Sequence, residues 1–417
     1  MKKAVCLLLL CTLVLSAGAC RAEDAPGAGV PSGLVPADGI SIPVFTEEDL
    51  PLYSIPDNEA LRFIRQLKAG WNLGNTFDAH PNNNFRRGLE LETSWCGAKT
   101  TPELIHALKE AGFNLVRIPV SWHNHIIDDQ YTVDPAWMNR VREVAQWVVD
   151  EGMYCIVNVH HDNWIYCFYP DSEHYEQSEK YLTAVWSQMA DAFADLDEHC
   201  LLESMNEPRL VGTSYEWRLV GSSKECKDAM DCINRLNQKF VDTVRASGGN
   251  NASRYLLVPG YDASPDGALN AGYILPEDTA DNRLIVAVHA YTPYNFAQNP
   301  NSPDNQFEVK SKRMQSTVTG FMTKLYKKYI VNGIPVLLDE FGALKKKNDN
   351  LQARVNYTAF YVASASARGM TCCWWDNNAF TGSGENFGLI DRRKVEWKYP
   401  EIALAMIRNA LFGRGSE

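Results

Sequence analysis

The chain has 417 residues, of which 45% are hydrophobic and 22% charged, and its formal net charge is -11. This composition is typical of a globular protein, and the length suits one large α/β barrel or two average domains. The negative charge argues against a nucleic-acid partner, because binding a polyanion requires a basic surface.

The first 20 residues have the pattern of an export signal. Lys2 and Lys3 precede an apolar run at 4–15 that is too short to span a bilayer, and small residues follow it at 16–19. We therefore expect an exported protein that is secreted or held at the cell surface.

Cys20 leaves two alternatives open for the exported form. Either ordinary signal peptidase cleaves nearby, or Cys20 is the acylated first residue of a bacterial lipoprotein. The segment 21–56 is rich in Pro, Gly and Ala, and it predicts a flexible tether that suits both alternatives. The remaining residues, 57–417, are expected to form one folded domain.

Short apolar or β-branched runs recur along this domain. They predict strands at 68–73, 113–119, 153–159, 200–205, 254–259, 283–289, 334–340 and 370–376. Amphipathic segments between most of them predict helices at 101–112, 134–152, 179–194, 228–246, 310–331 and 351–368. Strands that alternate with helices in this way indicate a parallel sheet.

The number of strand–helix units favours a single closed (β/α)₈ barrel, the TIM barrel, over 57–417. A doubly wound open sheet fits less well, since Gly70 and Gly74 straddle a predicted strand instead of opening a helix. In a barrel of this kind the functional residues collect at the C-terminal ends of the strands.

Export permits disulfides, but a chain of this length does not need them to stabilise its core. Cys155, Cys372 and Cys373 lie in apolar strand patterns and are expected to be buried thiols. Cys226 and Cys232, which are close in sequence and flanked by polar residues, are the best candidates for a bridge. No cysteine spacing resembles a structural zinc site, and we expect neither a metal nor a cofactor.

Ionisable, amide and aromatic side chains collect at the predicted strand ends. They are Asn72, Arg117, His160, His161, Asn206, Glu207, His289, Tyr291, Glu340 and Trp375. Scattered surface polarity would not sort by strand end, so this pattern predicts a site at the mouth of the barrel. Aromatic residues in the following loops are further candidates for the same site: Trp95, Trp122, His123, His125 and Trp164.

Glu207 and Glu340 each follow an apolar strand and precede a loop. Carboxyls placed this way can divide acid and nucleophile work at a glycosidic bond. A neighbouring cation keeps a carboxyl ionised, so Arg117 favours Glu340 as the nucleophile, with Tyr291 as a hydrogen-bond donor to it. Asn206 would then be free to bind a sugar 2-hydroxyl group.

Alternative interpretations remain for several of these residues. His160 and His161 could form a metal pair, but neighbours on a strand point to opposite sides, so we expect no shared metal. His160 is expected to line the sugar site, and His161 to pack or assist from the loop. Asp339 should point away from Glu340 and be structural, and the lysines at 345–347 should be solvated.

At these residues the chain resembles glycoside hydrolase family 5, from about Lys68 to the C terminus. Asn206-Glu207-Pro208, His289-Ala290-Tyr291 and Glu340-Phe341-Gly342 carry the resemblance, and the stretches 70–76, 116–125, 375–377 and 385–391 resemble subfamily 4 endoglucanases. The resemblance implies a barrel, retention of configuration, Glu207 as acid/base and Glu340 as nucleophile. It also implies support from Arg117, His160, Asn206, His289, Tyr291 and Trp375, and it leaves Trp374 for the core.

We therefore expect a secreted endo-β-1,4-glucanase, monomeric, that acts on cellulose-like glucans, mixed-linkage β-glucan or xyloglucan. A β-mannanase of the same family and an inactive barrel that only binds polysaccharide are the alternatives. Both glutamates, together with Arg117 and Tyr291, weigh against the inactive barrel. A metal-dependent hydrolase is a third hypothesis, which insensitivity to chelators would exclude.

Overall fold

The structure, a computed structural model, describes residues 33–81, 83, 85–346 and 348–414. The predicted export signal, Cys20 and residues 21–32 of the predicted tether lie outside the described residues. Within the described ranges, no helix is both long and apolar enough to cross a membrane.

A closed ring of parallel strands in chain order forms the centre of the fold. The strands are β1 (Ala69–Leu73), β2 (Leu115–Ile118), β3 (Tyr154–Val157), β4 (Cys200–Glu203), β5 (Leu256–Pro259), β6 (Leu284–His289), β7 (Val336–Phe341) and β8 (Thr371–Asp376). The ring closes because β1 pairs with both β2 and β8. The predicted (β/α)₈ barrel is confirmed.

Helices surround the ring. They are α1 (Glu59–Gln66), α2 (Pro102–Ala111), α3 (Pro135–Asp150), α4 (Tyr175–Ala192), α5 (Lys224–Ala246), α6 (Pro265–Leu269), α7 (Tyr294–Ala297), α8 (Lys312–Lys328), α9 (Leu351–Ser366) and α10 (Pro400–Asn409). A small antiparallel pair, β9 (Ile390–Asp391) and β10 (Glu396–Trp397), follows the ring. The sequence signals at α2 act as predicted, since Pro102 opens the helix and Gly112 ends it in a left-handed conformation with φ of 100°.

The interior of the ring is apolar at its N-terminal end and polar at its mouth. Apolar side chains such as Leu115 and Ile156 pack together with α1, which covers that end. Gly70 is required there, because a Cβ atom on it would lie 2.2 Å from Sγ of Cys373. Arg117, two residues after Leu115 on β2, is buried at the polar end, so alternation along one strand separates packing from chemistry.

The segment 33–56 packs on the barrel, so the prediction of a flexible tether is wrong for these residues. Leu34 is buried, the backbone N–H of Phe45 donates to Asn409 on α10 at 3.1 Å, and that of Tyr53 donates to the carbonyl of Ala367 at 3.1 Å. The tyrosine hydroxyl also accepts a hydrogen bond from Arg368. Composition suggested a linker, but a few apolar and aromatic side chains suffice to hold the segment down.

The predicted bridge between Cys226 and Cys232 is wrong, since both are free thiols. They lie six residues apart on α5, a rise of about 9 Å. A disulfide requires Cα atoms within about 7 Å. Cys155, Cys372 and Cys373 are buried free thiols, as predicted.

Candidate active site

Arg117 is the centre of the polar mouth. Its Nη1 donates to Oε1 of Glu340 at 2.6 Å and to Oδ1 of Asn72 at 3.0 Å. Its Nη2 donates to Oδ1 of Asn206 at 2.8 Å. Burial opposes its charge, but the carboxylates around it, with Glu203 foremost, outweigh burial and raise its pKa. One side chain thus joins strand ends that are far apart in sequence.

Glu203 is a buried site residue that the sequence analysis missed. Its two carboxylate oxygens accept from Nε and Nη2 of Arg117 at 2.7 and 2.8 Å, and Oε1 also accepts from Asn158 at 3.2 Å. The sequence signal that could have identified this residue is a carboxylate within the otherwise apolar strand β4. Burial outweighs the charge of Arg117 and raises the pKa of Glu203. This pair orients the guanidinium toward Glu340.

The two predicted glutamates face each other across the mouth. One carboxylate oxygen of Glu207 and one of Glu340 lie within 4.8 Å of each other. Tyr291 donates its hydroxyl to Oε2 of Glu340 at 3.0 Å, so Glu340 is held by two donors. Retaining glycosidases have carboxyl groups about 5 to 5.5 Å apart, whereas inverting enzymes need about 6.5 to 9.5 Å.

His289 lies between the glutamates. Its Nδ1 is 2.8 Å from Oε1 of Glu207 and 3.6 Å from Oε2 of Glu340, and its Nε2 is 3.7 Å from Oδ1 of Asp339. The prediction that Asp339 points away from the site is wrong. The pairing of β7 with β8 shifts register between Leu338 and Phe341, and this irregularity breaks the alternation on which the prediction depended.

The charges of this cluster act strongly on one another. Burial opposes a charge on His289, but the carboxylates of Glu340, Asp339 and Glu207 outweigh burial and raise its pKa well above the ordinary value. Burial would raise the pKa of Glu207, but His289, with help from Arg209, lowers it to about 2. Burial raises the pKa of Glu340 against the opposing charges of His289 and Arg117.

Trp375, on β8, packs its ring against that of His160, which follows β3. Their rings are parallel within 2°, with centroids 5.8 Å apart. Burial, together with the neighbouring His161 and the charge of Arg117, lowers the pKa of His160 well below its ordinary value. Trp374, by contrast, is buried and donates to the carbonyl of Phe387 at 2.9 Å, as expected for a core residue.

His160 and His161 lie on the same side of the mouth. A ring nitrogen of each and an oxygen of Asp78 lie within 4.8 Å of one another. The expectation of opposite orientations is wrong, because β3 ends at Val157 and both histidines follow it in the loop. Burial lowers the pKa of His161 to about 3 and raises that of Asp78 to about 7.

Two further groups have metal-type geometry, with ligand atoms within 4.8 Å of one another. They are Glu203 with His289 and Asp339, and Glu207 with His289 and Glu340. Arg117 lies among these carboxylates, at 2.7 Å from Glu203 and 2.6 Å from Glu340. A fixed guanidinium therefore already supplies positive charge to both groups.

The aromatic loop residues that the sequence predicted as further parts of the site divide into two sets. Trp95 and Trp164 both lie close to His80, with ring centroids 5.2 and 5.8 Å from it, and Trp95 is exposed. Trp122, His123 and His125 are buried, and they pack against neighbouring residues of the loops. His125, for example, stacks on Trp137 at a centroid distance of 3.6 Å.

Lys346 is not solvated, contrary to the sequence-based expectation. It is 8% exposed, and its Nζ donates to the carbonyl oxygens of Asn295, Ser302 and Asp304. These carbonyls belong to the loop after β6, which also carries Tyr291. Lys345 is exposed as predicted, and residue 347 lies outside the described ranges.

A closed parallel barrel with two carboxylates this close at its mouth has the geometry of a glycoside hydrolase that works by double displacement. The chain belongs to glycosyl hydrolase family 5, since residues 78–381 match the family model described as Cellulase (glycosyl hydrolase family 5). The family resemblance drawn from the sequence is confirmed.

Curated relatives and solved structures agree with this assignment. Endoglucanase B of Ruminococcus albus is 41% identical over 364 residues, which cover 85% of this chain and 83% of that protein. A GH5 family lichenase from Caldicellulosiruptor sp. F32 is 49% identical, with a TM-score of 0.86 over 89% of this chain and 100% of that chain. A GH5-4 broad specificity endoglucanase from Ruminococcus champanellensis, solved with bound cellotriose, is 41% identical, with a TM-score of 0.77 over 85% of this chain and 100% of that chain.

Proposed function

We propose that this chain is a retaining endo-β-1,4-glucanase in which Glu340 is the nucleophile and Glu207 the acid/base. The single observation that carries the proposal is that an oxygen of each carboxylate lies within 4.8 Å of the other. This is the shorter of the two carboxyl separations found in glycosidases, and it belongs to retaining enzymes. Endoglucanase relatives at 41% and 40% identity over 85% of this chain support the activity. The substrates we propose are cellulose-like glucans, mixed-linkage β-glucan and xyloglucan.

In the first step an oxygen of Glu340 attacks the anomeric carbon as the bond to the leaving sugar breaks. The hydrogen bonds from Arg117 and Tyr291 orient the carboxylate and favour its ionised form, while burial keeps it poorly hydrated and reactive. Glu207 gives its proton to the departing oxygen. A covalent glycosyl–enzyme ester and a free leaving sugar result.

In the free site the pKa of Glu207 is low and that of Glu340 is raised. An acid needs a high pKa and a nucleophile a low one, so these pKa values are the reverse of what the two roles require. His289 accounts for the difference. Moving its proton from Nδ1 to Oε1 of Glu207, over 2.8 Å, leaves a neutral imidazole whose Nε2–H faces Asp339. We infer that this arrangement, with Glu207 protonated and Glu340 ionised, is the reactive one.

The second step reverses the proton transfer. Once Glu340 is esterified it carries no negative charge, so it no longer repels a negative charge on Glu207. Glu207 can then act as a base and take a proton from water as the water attacks the anomeric carbon. The product leaves with its original β configuration, and both carboxyls return to their starting forms.

Neighbouring residues would bind the sugar at the reaction centre. Arg117 donates to Oδ1 of Asn206, so the amide donors of Asn206 can serve a sugar 2-hydroxyl group. Trp375 and His160 would border the sugar ring at the reaction centre. His161 and Trp164 would border the next sugar unit. Such contacts accelerate the reaction where they strengthen in the transition state.

The test is a parallel assay of the purified protein on carboxymethyl cellulose, lichenan, xyloglucan, xylan and mannan. We expect hydrolysis of the first three, with NMR of the first product showing the β-anomer. An α-anomer would mean inversion and would contradict the mechanism. A preference for mannan would make the protein a β-mannanase, and binding without hydrolysis would make it an inactive polysaccharide-binding barrel.

We further propose that the protein is exported and acts as a monomer, either free or anchored through acylated Cys20. The pattern at 2–19 supports export. Cell fractionation of the wild type and Cys20→Ala distinguishes the two forms, and size-exclusion chromatography tests the monomer.

A further inference from the structure

Asp339, directly before the proposed nucleophile on β7, is a fully buried carboxylate without a chemical role in the two steps above. It is 0% exposed, so it does not touch a sugar. Its Oδ1 accepts from the backbone N–H of Val288 at 2.9 Å, and its Oδ2 has no hydrogen-bond partner within the described ranges. Burying a carboxylate costs free energy unless neighbouring groups compensate its charge.

Two cations lie close to this carboxylate. Its Oδ2 is 3.7 Å from Nε of Arg117, and its Oδ1 is 3.7 Å from Nε2 of His289. Both distances exceed those of ordinary hydrogen bonds, so the interaction is mainly one of charge. Arg117 is already paired through two N–H groups with Glu203, at 2.7 and 2.8 Å. His289 is therefore the cation on which the charge of Asp339 acts most.

The two ring nitrogens of His289 face different carboxylates. Nη2 of Arg117 also lies 3.5 Å from Nε2, but its two hydrogens go to Glu203 and Asn206, each at 2.8 Å. Arg117 therefore does not use Nε2 as an acceptor. Nδ1, on the other side of the ring, is 2.8 Å from Oε1 of Glu207. The partner of one ring nitrogen decides whether the other can give or take a proton.

The carboxylates nearest to His289 differ in how their charge changes during the reaction. Glu207 gains and loses a proton, and Glu340 loses its charge when it forms the ester. Asp339 takes part in neither step. Burial would raise its pKa, but the charges of His289 and Arg117 outweigh burial and lower it. Asp339 is thus an anion that His289 faces at every stage.

Further charged and titratable groups face this pair from the surrounding strand ends. They are Arg117 on β2, His160 after β3, Glu203 on β4, Glu207 after it, Asp262 after β5, Glu340 on β7 and Cys373 on β8. Burial opposes a charge on His289, and the carboxylates of Glu340 and Asp339 are foremost in overcoming it. Removing the charge of Asp339 should therefore lower the pKa of His289.

We propose that Asp339 is a positioning residue that keeps a proton on Nε2 of His289, so that Nδ1 is the atom that exchanges a proton with Glu207. In the first step the Nδ1 proton passes to Oε1 of Glu207, and Glu207 protonates the departing sugar oxygen. In the second step Glu207 takes a proton from the attacking water and returns one to Nδ1. Nε2 keeps its proton throughout, and the cluster ends with the protons that it had at the start. This inference rests on the proposed function.

The first experiment compares the pH profile of kcat/KM for cellopentaose in the wild type and in Asp339→Asn, which keeps the shape and an acceptor oxygen. The alkaline limb should move to lower pH by at least about one unit. KM at the optimum should stay within about twofold, because Asp339 does not touch the sugar. A purely structural role would lower activity at every pH without moving the limb, and a limb that stays in place would overturn the inference.

An activated substrate shows whether the acid is the group affected. An aryl β-cellobioside with a good leaving group needs no proton, so its alkaline limb should move less in Asp339→Asn than that of cellopentaose. Equal movement on both substrates would mean that Asp339 acts on a group other than the acid, and would overturn the inference as well.

A double variant shows whether Asp339 acts through His289. In a His289→Gln background, Asp339→Asn should move the alkaline limb by less than about half of the shift that it causes alone. A full second shift would overturn the inference. Asp281→Asn is the matched control, since Asp281 is exposed in the turn before β6, and it should leave the profile unchanged in both backgrounds.

Nitrogen NMR of the imidazole rings in the wild type tests the inference without Asp339→Asn. The signals of His289 are identified by their absence in His289→Gln. We expect Nε2 to stay protonated across the pH range of activity and Nδ1 to be the nitrogen that titrates. A neutral ring with its proton on Nδ1 would overturn the inference. If the wild type hydrolyses no β-glucan, the proposed function itself fails, and that result is distinct from the NMR result.

Discussion

Nδ1 of His289 lies 2.8 Å from Oε1 of Glu207, a distance at which one proton can be shared between them. The same nitrogen is 3.6 Å from Oε2 of Glu340. The proposed nucleophile and acid therefore compete for one cation. Their protonation states are properties of the cluster and not of either carboxyl alone, and the following predictions test this view together with the residue roles.

Glu340→Gln should abolish turnover on β-glucan, with a loss of at least about a thousandfold in kcat. An amide cannot form the glycosyl ester, although it keeps the size of the side chain. Thermal melting monitored by circular dichroism should show that the variant folds. Full activity in a folded Glu340→Gln protein would contradict the nucleophile assignment.

Glu207→Ala should lose most activity on polysaccharide but less on activated aryl glycosides. A good leaving group departs as an anion and needs no proton, whereas a sugar alkoxide does. The measurement is the ratio of kcat/KM for the two substrate types in the variant and the wild type. Equal loss on both would argue against an acid role.

The pH profile should be bell-shaped, with His289 governing its alkaline side. Activity should rise as pH passes the raised pKa of Glu340, because the ionised form attacks, and fall as the proton shared by His289 and Glu207 is lost. In His289→Gln, Glu207 alone holds that proton, so the alkaline limb of kcat/KM should move to lower pH. An alkaline limb that stays in place would show that His289 does not supply the proton.

Lys346→Met should lower the free energy of unfolding by about 2 kcal/mol or more, because three loop carbonyls lose a charged donor. Lys345→Met is the control; Lys345 is exposed and should change stability by less than about 0.5 kcal/mol. Urea unfolding of both variants provides the comparison. Equal stabilities would mean that Lys346 does not hold the loop after β6.

Treatment with EDTA should leave kcat/KM on carboxymethyl cellulose within about twofold of the untreated value, since Arg117 supplies the positive charge beside Glu340. Metal content before and after treatment would be measured by mass spectrometry. A loss of activity that a divalent cation restores would instead support a functional metal at Asp78, His160 and His161, where the ligand atoms lie within 4.8 Å of one another.

The alternation of strands and helices, and the polar residues at strand ends, could be predicted from the sequence because both are local patterns. Periodicity located Glu207 and Glu340, and turn signals such as Pro102 and Gly112 located helix ends. The (β/α)₈ barrel then followed, because few folds accommodate so many consecutive units of this kind.

Relationships between distant parts of the chain were decided only by the tertiary structure. Arg117 meets Glu340 across 223 positions of sequence, and Glu203 becomes the second anchor of that arginine only after the ring closes. A register shift in β7 brings Asp339 to the site, a loop places His160 beside His161, and a docked N-terminal segment replaces part of the expected tether. Propensity and periodicity describe neighbours along the chain, whereas contacts like these depend on ring closure, irregular backbone and burial.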